Sequence, residues 1–124
     1  MDLKNTVFIS DFDGTLLSSD KRLTEKNIEA IKRYQSLGGK FSVATGRPIQ
    51  TIANYVDDIH YDLPMILCNG AMIYDPYRKE VVWAKYLPDY AKDIVSEIFE
   101  KFPTISPEIF TLHGQYYLRM NEVE

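Results

Sequence analysis

The chain has 124 residues, of which 45% are hydrophobic and 26% charged, and its formal net charge is −4. This length suits one domain, and the composition is that of a globular protein rather than a disordered one. The acidic balance argues against a nucleic-acid or membrane-surface protein, because both need basic surfaces. No apolar run approaches the roughly 20 residues of a membrane span, and the N-terminus lacks signal-peptide features. The lone cysteine, Cys68, excludes an internal disulfide and favours a cytoplasmic location.

The first seventy residues alternate predicted strands and helices. The predicted strands lie at residues 6–10, at 40–47, where the strand runs into a turn, and at 65–70. The first is a β-branched apolar run, typical of a strand covered on both faces. One helix is predicted to begin after the N-cap Thr24 and to end at Gly38, and a second is predicted to have Pro48 at its first position. This order predicts an α/β fold with a parallel sheet and right-handed crossovers.

The second part of the chain has a different pattern. Residues 71–87 predict two strands around a turn at 75–78, and an amphipathic helix follows over residues 91–102. Residues 108–120 predict a hairpin that turns near His113. Antiparallel strands with one helix indicate a separate layer. The three parallel strands leave an open sheet edge, through which self-association is expected.

Polar residues follow the first predicted strand in the sequence Asp11-Phe12-Asp13-Gly14-Thr15. Side chains alternate along a strand, so Asp11 and Asp13 share a side if the chain stays extended. Two carboxylates on one side suit a hard cation such as Mg²⁺. Gly14 permits a tight turn whose N–H groups can face an anion.

The other two strand ends are also polar. Thr45-Gly46-Arg47 offers a hydroxyl, a flexible backbone and the start of a helix, which together suit a phosphate. Asn69 offers an amide for a substrate oxygen, and Arg47 could reach a phosphate or pair on the surface. A lone D-x-D is more often a cap or a solvated turn. Because ligands bind beyond the carboxyl ends of parallel strands, the coincidence of three polar ends favours a site.

Two motifs and their order resemble the haloacid-dehalogenase (HAD) superfamily of phosphohydrolases. "DFDGTLL" at 11–17 resembles the first motif of that family, and "ATGR" at 44–47 resembles the second. "CNGA" at 68–71, followed by a change of layer, resembles the Cof-type branch, which carries an α/β cap. The resemblance implies a partial Rossmann-like core over residues 1–70 and the beginning of an α+β cap domain over 71–124.

The resemblance also implies a mechanism and a set of site residues. Asp11 would be the nucleophile that forms an aspartyl phosphate, and Asp13 the general acid/base. Mg²⁺ would be held by the Asp11 side chain and the Asp13 backbone carbonyl, and the metal with a shared proton would offset the repulsion between the two carboxylates. The substrate would be a small phosphorylated metabolite, such as a sugar phosphate or a nucleotide-like phosphate. The residues implied in binding the phosphate or substrate are Phe12, Gly14, Thr45, Gly46, Arg47 and Asn69.

The sequence departs from the family pattern in one respect. A third-motif lysine and a fourth-motif acidic pair are absent, and Asp57-Asp58, which lacks a preceding glycine at the end of a helix, is a poor substitute. The chain is therefore expected to be an N-terminal portion with weak phosphatase activity by itself. A phosphomutase of the same superfamily and a non-catalytic binding or regulatory lobe remain alternatives.

Overall fold

The structure, a computed structural model, describes residues 2–117 and divides into two compact units. The first unit runs to Lys85 and the second begins at Tyr86. Among the described residues, no helix is both long enough and apolar enough to cross a membrane.

The first unit contains the predicted parallel strands. Strands β1 (Val7–Ser10) and β2 (Lys40–Val43) pair in parallel, with Val7 opposite Lys40. Strand β3 (Met65–Leu67) lies beside the end of β2 through a single parallel bridge between Ala44 and Ile66. The α/β fold class is confirmed, and the carboxyl ends of all three strands meet at one edge.

A hairpin extends the sheet beyond β3. Strand β4 (Met72–Asp75) pairs antiparallel with β3, and β5 (Glu80–Ala84) pairs antiparallel with β4. The predicted two strands and their turn are confirmed. The hairpin belongs to the first compact unit, which continues past residue 70, so the core–cap boundary expected there stays a prediction.

Two helices flank the parallel strands. Helix α1 (Glu25–Ser36) begins at the predicted N-cap, where the Thr24 hydroxyl accepts a hydrogen bond from the Asn27 N–H at 3.2 Å. Helix α2 (Ile49–Ile52) is one turn long, and Pro48 is its extended N-cap residue rather than its first helical residue. The core between these elements is apolar. Its fully buried members include Phe12, Phe41, Val43, Ile52, Met65 and Leu67.

The sequence predicts that both faces of the first strand are covered, and for the described residues this prediction is wrong. Val7, Phe8 and Ile9 are each about half exposed, at 50%, 51% and 46%. The reason is that β1 pairs with β2 alone among the described strands, so its other edge and part of its surface face solvent. Self-association through this edge stays a prediction.

The third strand is shorter than predicted. Strand β3 ends at Leu67, and Cys68–Gly70 form a tight turn in which Cys68 and Asn69 have φ values of +51° and +55°. Such left-handed conformations cannot continue a strand, and asparagine tolerates them better than most residues do. The turn therefore sets Asn69 at the strand end.

The second unit contains one helix and one hairpin. Helix α3 spans Ala91–Lys101, within the range predicted from its amphipathic pattern. Strands β6 (Glu108–Phe110) and β7 (Gln115–Tyr117) pair antiparallel, which confirms the hairpin over the described part of its predicted range. Residues 118–120 of that prediction lie outside the described residues.

Candidate active site

The chain after β1 bends at once, so Asp11 and Asp13 do not lie along one extended strand. Asp11 keeps an extended backbone and is exposed, and the next residues form a single tight turn, Phe12–Leu16. Gly14 has φ of +74° in this turn, a conformation that a side chain would strain. The bend directs the carboxylates of Asp11 and Asp13 to different partners.

The loop after β2 is held by backbone hydrogen bonds that fix Thr45. Its N–H donates to the carbonyl of Ile66 at 2.9 Å, and its hydroxyl accepts from the Arg47 N–H at 3.1 Å. The residue is 6% exposed. A hydroxyl that already accepts a hydrogen bond keeps its own hydrogen for an incoming acceptor such as a phosphate oxygen.

Asn69 approaches the same loop closely. Its N–H donates to the carbonyl of Thr45 at 3.2 Å. A Cβ atom added at Gly46 would lie only 3.0 Å from the Asn69 Oδ1 atom, so the absence of a side chain at Gly46 permits this approach. Backbone and amide groups from two strand ends are thereby brought together.

One open cavity of about 350 Å³ lies at these strand ends. It is lined by Asp11, Ala44, Thr45, Gly46, Ile66, Asn69 and Gly70. Four of the residues expected in the site, Asp11, Thr45, Gly46 and Asn69, therefore share one cavity. They come from segments that follow three different strands, as the parallel sheet predicts.

Asp13 points instead into a cluster of positive charges. Its Oδ2 accepts a hydrogen bond from Arg47 Nε at 2.6 Å, and its Oδ1 accepts from Arg47 Nη2 at 2.8 Å. Lys21 Nζ donates to the same Oδ1 at 2.8 Å. Arg47 pairs with Asp13 in the described structure, and its side chain is only 19% exposed. Its expected contact with a phosphate stays a prediction.

These hydrogen bonds set the charge of Asp13. The hydrogen bonds from Arg47, and then those from Lys21, hold the pKa of the Asp13 carboxyl well below its usual range. The pKa of Arg47 is raised in return, chiefly by Asp13. In the described structure, two side-chain cations balance the charge of Asp13. The compensation expected from a metal and a shared proton stays a prediction.

Three further residues expected in the site lie outside the cavity lining. Phe12 is fully buried, so its side chain belongs to the core and only its backbone could face a ligand. Gly14 shapes the turn, and Arg47 binds Asp13.

The sequence patterns did not identify Lys21, which pairs with Asp13, or Tyr55, whose ring centroid lies 5.2 Å from Cζ of Arg47. A loop lysine eight residues from an aspartate, and a tyrosine after a short helix, carry no distinctive sequence signal.

The described residues offer few side-chain ligands for a metal ion. In residues 2–117, no group of three or more His, Cys, Asp or Glu side chains is placed to hold an ion. The carboxylate of Asp11 lies at the cavity, whereas that of Asp13 is committed to Arg47 and Lys21. One carboxylate with a backbone carbonyl fits Mg²⁺, which commonly takes one or two carboxylates and completes its shell with water and phosphate oxygens.

The chain is similar to phosphatases of known name. It is 33% identical over 106 residues to a 5-amino-6-(5-phospho-D-ribitylamino)uracil phosphatase of Bacillus subtilis, covering 78% of the chain and 36% of that protein. It is 37% identical over 82 residues to a pyridoxal phosphate phosphatase of Escherichia coli, covering 66% and 30%. The chain thus spans about a third of the length of these curated relatives.

A solved structure shows the same fold. The chain superposes on a HAD subclass IIB sugar phosphatase with a TM-score of 0.77 and 26% identity, covering 95% of this chain and 45% of that one. The model of the haloacid dehalogenase-like hydrolases matches residues 8–124. The resemblance to the HAD superfamily and its Cof-type branch is thereby confirmed, and the chain belongs to the haloacid dehalogenase-like hydrolase family.

Proposed function

We propose that the protein is a cytoplasmic, Mg²⁺-dependent phosphatase of small phosphorylated metabolites. The observation that carries this proposal is the cavity at which the Asp11 carboxylate, the Thr45 hydroxyl and the Asn69 segment converge. The names of the relatives support the reaction class, because they include phosphatases that act on small phosphate esters. The substrate is expected to be a sugar phosphate or a nucleotide-like phosphate.

The proposed reaction passes through an aspartyl phosphate. An oxygen of the Asp11 carboxylate attacks phosphorus, the bond from phosphorus to the ester oxygen breaks, and the alcohol leaves with a proton from Asp13. A water molecule then gives a proton to Asp13 and attacks the same phosphorus. The bond from phosphorus to the Asp11 oxygen breaks, so phosphate leaves and the carboxylate is restored. Two transfers through one carboxylate let a single site perform both steps.

Other groups in the cavity suit the binding of the phosphate. The Thr45 hydroxyl and the backbone around Gly46 can donate hydrogen bonds, and the Asn69 amide can orient a substrate oxygen. Mg²⁺ would be held by the Asp11 carboxylate and the Asp13 backbone carbonyl, and would supply positive charge against the phosphate.

A binding experiment tests the site without requiring turnover. Inorganic phosphate with Mg²⁺ is titrated into the chain, and the backbone amide resonances of Gly46 and Asn69 are followed by NMR. We expect Thr45→Val to weaken phosphate binding about tenfold or more, because a hydrogen bond to a charged group is lost. Thr6→Val is the matched control, since Thr6 precedes β1 at the opposite end of the sheet.

A chemical experiment tests the nucleophile. The chain is incubated with a generic phosphate ester and Mg²⁺, and covalent phosphate is sought by mass spectrometry. We expect the label on Asp11, and we expect Asp11→Asn to abolish both the label and the release of free phosphate. Phosphate release by the parent chain above the rate without protein that Asp11→Asn leaves undiminished, or equal binding by the Thr45 and Thr6 variants, contradicts the proposal.

A further inference from the structure

Tyr55 contacts both of the residues that hold Asp13. It lies in the single turn Ala53–Tyr55 that continues helix α2. Its hydroxyl donates to the carbonyl oxygen of Lys21 at 2.9 Å, and its ring centroid lies 5.2 Å from Cζ of the Arg47 guanidinium. Two independent interactions therefore connect one side chain with the two cations.

The contact with Lys21 holds a loop in an uncommon conformation. The segments flanking this loop meet at a bridge between Leu17 and Leu23, and the Lys21 N–H donates to the carbonyl of Ser18 at 3.0 Å. Lys21 has φ of +61°, a left-handed conformation that non-glycine residues adopt infrequently. Its side chain is 63% exposed, so little packing holds the ammonium group against Asp13. The hydrogen bond from the Tyr55 hydroxyl instead holds the backbone of Lys21 in place.

The contact with Arg47 is made by the face of the ring. The guanidinium lies over two aromatic rings, at 5.4 Å from the centroid of Phe12 and 5.2 Å from that of Tyr55. The two rings meet edge to face with centroids 5.0 Å apart. Tyr55 is itself tied to the core, because the buried Tyr61 hydroxyl donates to its carbonyl at 3.1 Å.

We propose that Tyr55 is a positioning residue that fixes the Asp13 carboxylate through Lys21 and Arg47. Its hydroxyl positions the loop that carries Lys21. Its ring orients the Arg47 guanidinium group, which donates hydrogen bonds to both carboxylate oxygens of Asp13. The catalytic relevance rests on the proposed function, in which Asp13 transfers the proton. The contacts themselves do not rest on it, and they are what the experiment measures.

The experiment compares two substitutions by NMR at neutral pH. Tyr55→Phe removes only the hydroxyl, and we expect it to shift the Asp13 carboxyl carbon resonance and to raise amide exchange at Lys21 roughly fivefold, the effect of losing about one hydrogen bond. The Arg47 Nε–H resonance should stay protected in this variant. Tyr55→Leu also removes the ring, and we expect the Arg47 Nε–H protection to be lost as well.

A double-mutant cycle separates positioning from a general structural effect. If the hydroxyl acts through Lys21, Tyr55→Phe shifts the Asp13 resonance in the parent chain but not in a Lys21→Met background. Tyr34→Phe is the matched control, because the Tyr34 hydroxyl is buried and has no hydrogen-bond partner in the described structure. An Asp13 resonance that Tyr55→Phe leaves unchanged, or shifts equally in both backgrounds, overturns the proposal. Either result would leave phosphate binding at Thr45 untouched, so the proposed function would not fall with it.

Discussion

At the scale of single residues, two aspartates separated by one position have different surroundings. Asp11 lies at the open cavity, whereas Asp13 accepts hydrogen bonds from Arg47 and Lys21. A carboxyl whose pKa is lowered in this way is seldom protonated and is a weak base. The proton transfer proposed for Asp13 therefore requires that a substrate first loosens this ion pair.

The ion pair of Asp13 predicts a pH-dependent contribution to stability. The folded-state pKa lies below the unfolded value of about 3.9, so the stabilisation is fully present above that value and declines as pH falls toward the folded pKa. We expect Arg47→Met to lower the free energy of unfolding more at neutral pH than at about pH 3. Urea unfolding followed by the fluorescence of Trp83, the one tryptophan, measures this in the first unit. Arg33→Met, on the exposed surface of α1, is the control, and equal losses at both pH values would contradict the prediction.

The backbone conformation of Gly14 leads to a second prediction, on the stability of the first unit. Its φ of +74° is unfavourable for a residue with a Cβ atom, although nothing lies within 4 Å of the Cβ position. We expect Gly14→Ala to destabilise the first unit by about 1 kcal/mol through backbone strain alone. Gly114→Ala serves as control, since its Cβ would make only ordinary contacts from 3.5 Å and its φ is not left-handed. Equal unfolding midpoints for the Gly14 variant and the parent chain would refute this explanation.

At the scale of elements, the ends of the strands and helices decide where the polar groups lie. Strands β2 and β3 are short and end in turns whose hydrogen bonds interlock, such as Asn69 N–H to the Thr45 carbonyl and Cys68 N–H to the Arg47 carbonyl. These bonds join two loops that are distant in sequence. The cavity therefore depends on the register of β2 against β3, which the bridge between Ala44 and Ile66 and these loop hydrogen bonds hold together.

The N-cap of helix α1 leads to a prediction about stability. The Thr24 hydroxyl accepts the Asn27 N–H, so Thr24→Ala should lower the free energy of unfolding by about 1 kcal/mol. Thr24→Ser keeps the acceptor and should restore most of the loss. Denaturant unfolding of the three proteins measures the difference. A serine variant as unstable as the alanine variant would show that the cap does not stabilise the helix.

At the scale of the whole molecule, the sheet of the first unit has an exposed apolar edge. Phe8 packs against Tyr34 and Phe41 on one face, and Val7 and Ile9 alternate onto the other. Among the described strands, β1 pairs on one side only, and half-exposed apolar residues on such a strand favour association with another strand or surface. The self-association expected from the sequence has this edge as its candidate site.

Association through β1 can be measured directly. We expect Ile9→Lys to reduce concentration-dependent self-association in sedimentation experiments, because an edge lysine opposes strand pairing. Val82→Lys on β5 is the matched control, since Val82 is exposed to a similar degree, 54% against 46% for Ile9. A parent chain that stays monomeric at every concentration would exclude self-association. An equal effect of both lysines would show that β1 is not the contact site.

Most of the elements were predictable because their signals are local. The N-cap at Thr24, the amphipathic pattern of α3 and the turn between β4 and β5 each depend on neighbouring residues, and the structure has all three. The exposure of β1 and the short β3 were not predictable in this way. They depend on which strands lie beside β1 and on the left-handed turn at Cys68–Gly70.

By itself, the sequence determined the family, the alternation of parallel strands with helices and the three polar strand ends, because motifs and hydrophobic periodicity are written in consecutive residues. Only the tertiary structure decided that Asp11 shares a cavity with Thr45 and Asn69 while Asp13 binds Arg47 and Lys21. The physical reason is that the residues brought together at this cavity lie up to 58 positions apart in the sequence, from Asp11 to Asn69. Chain folding sets such distances, and no local pattern encodes them.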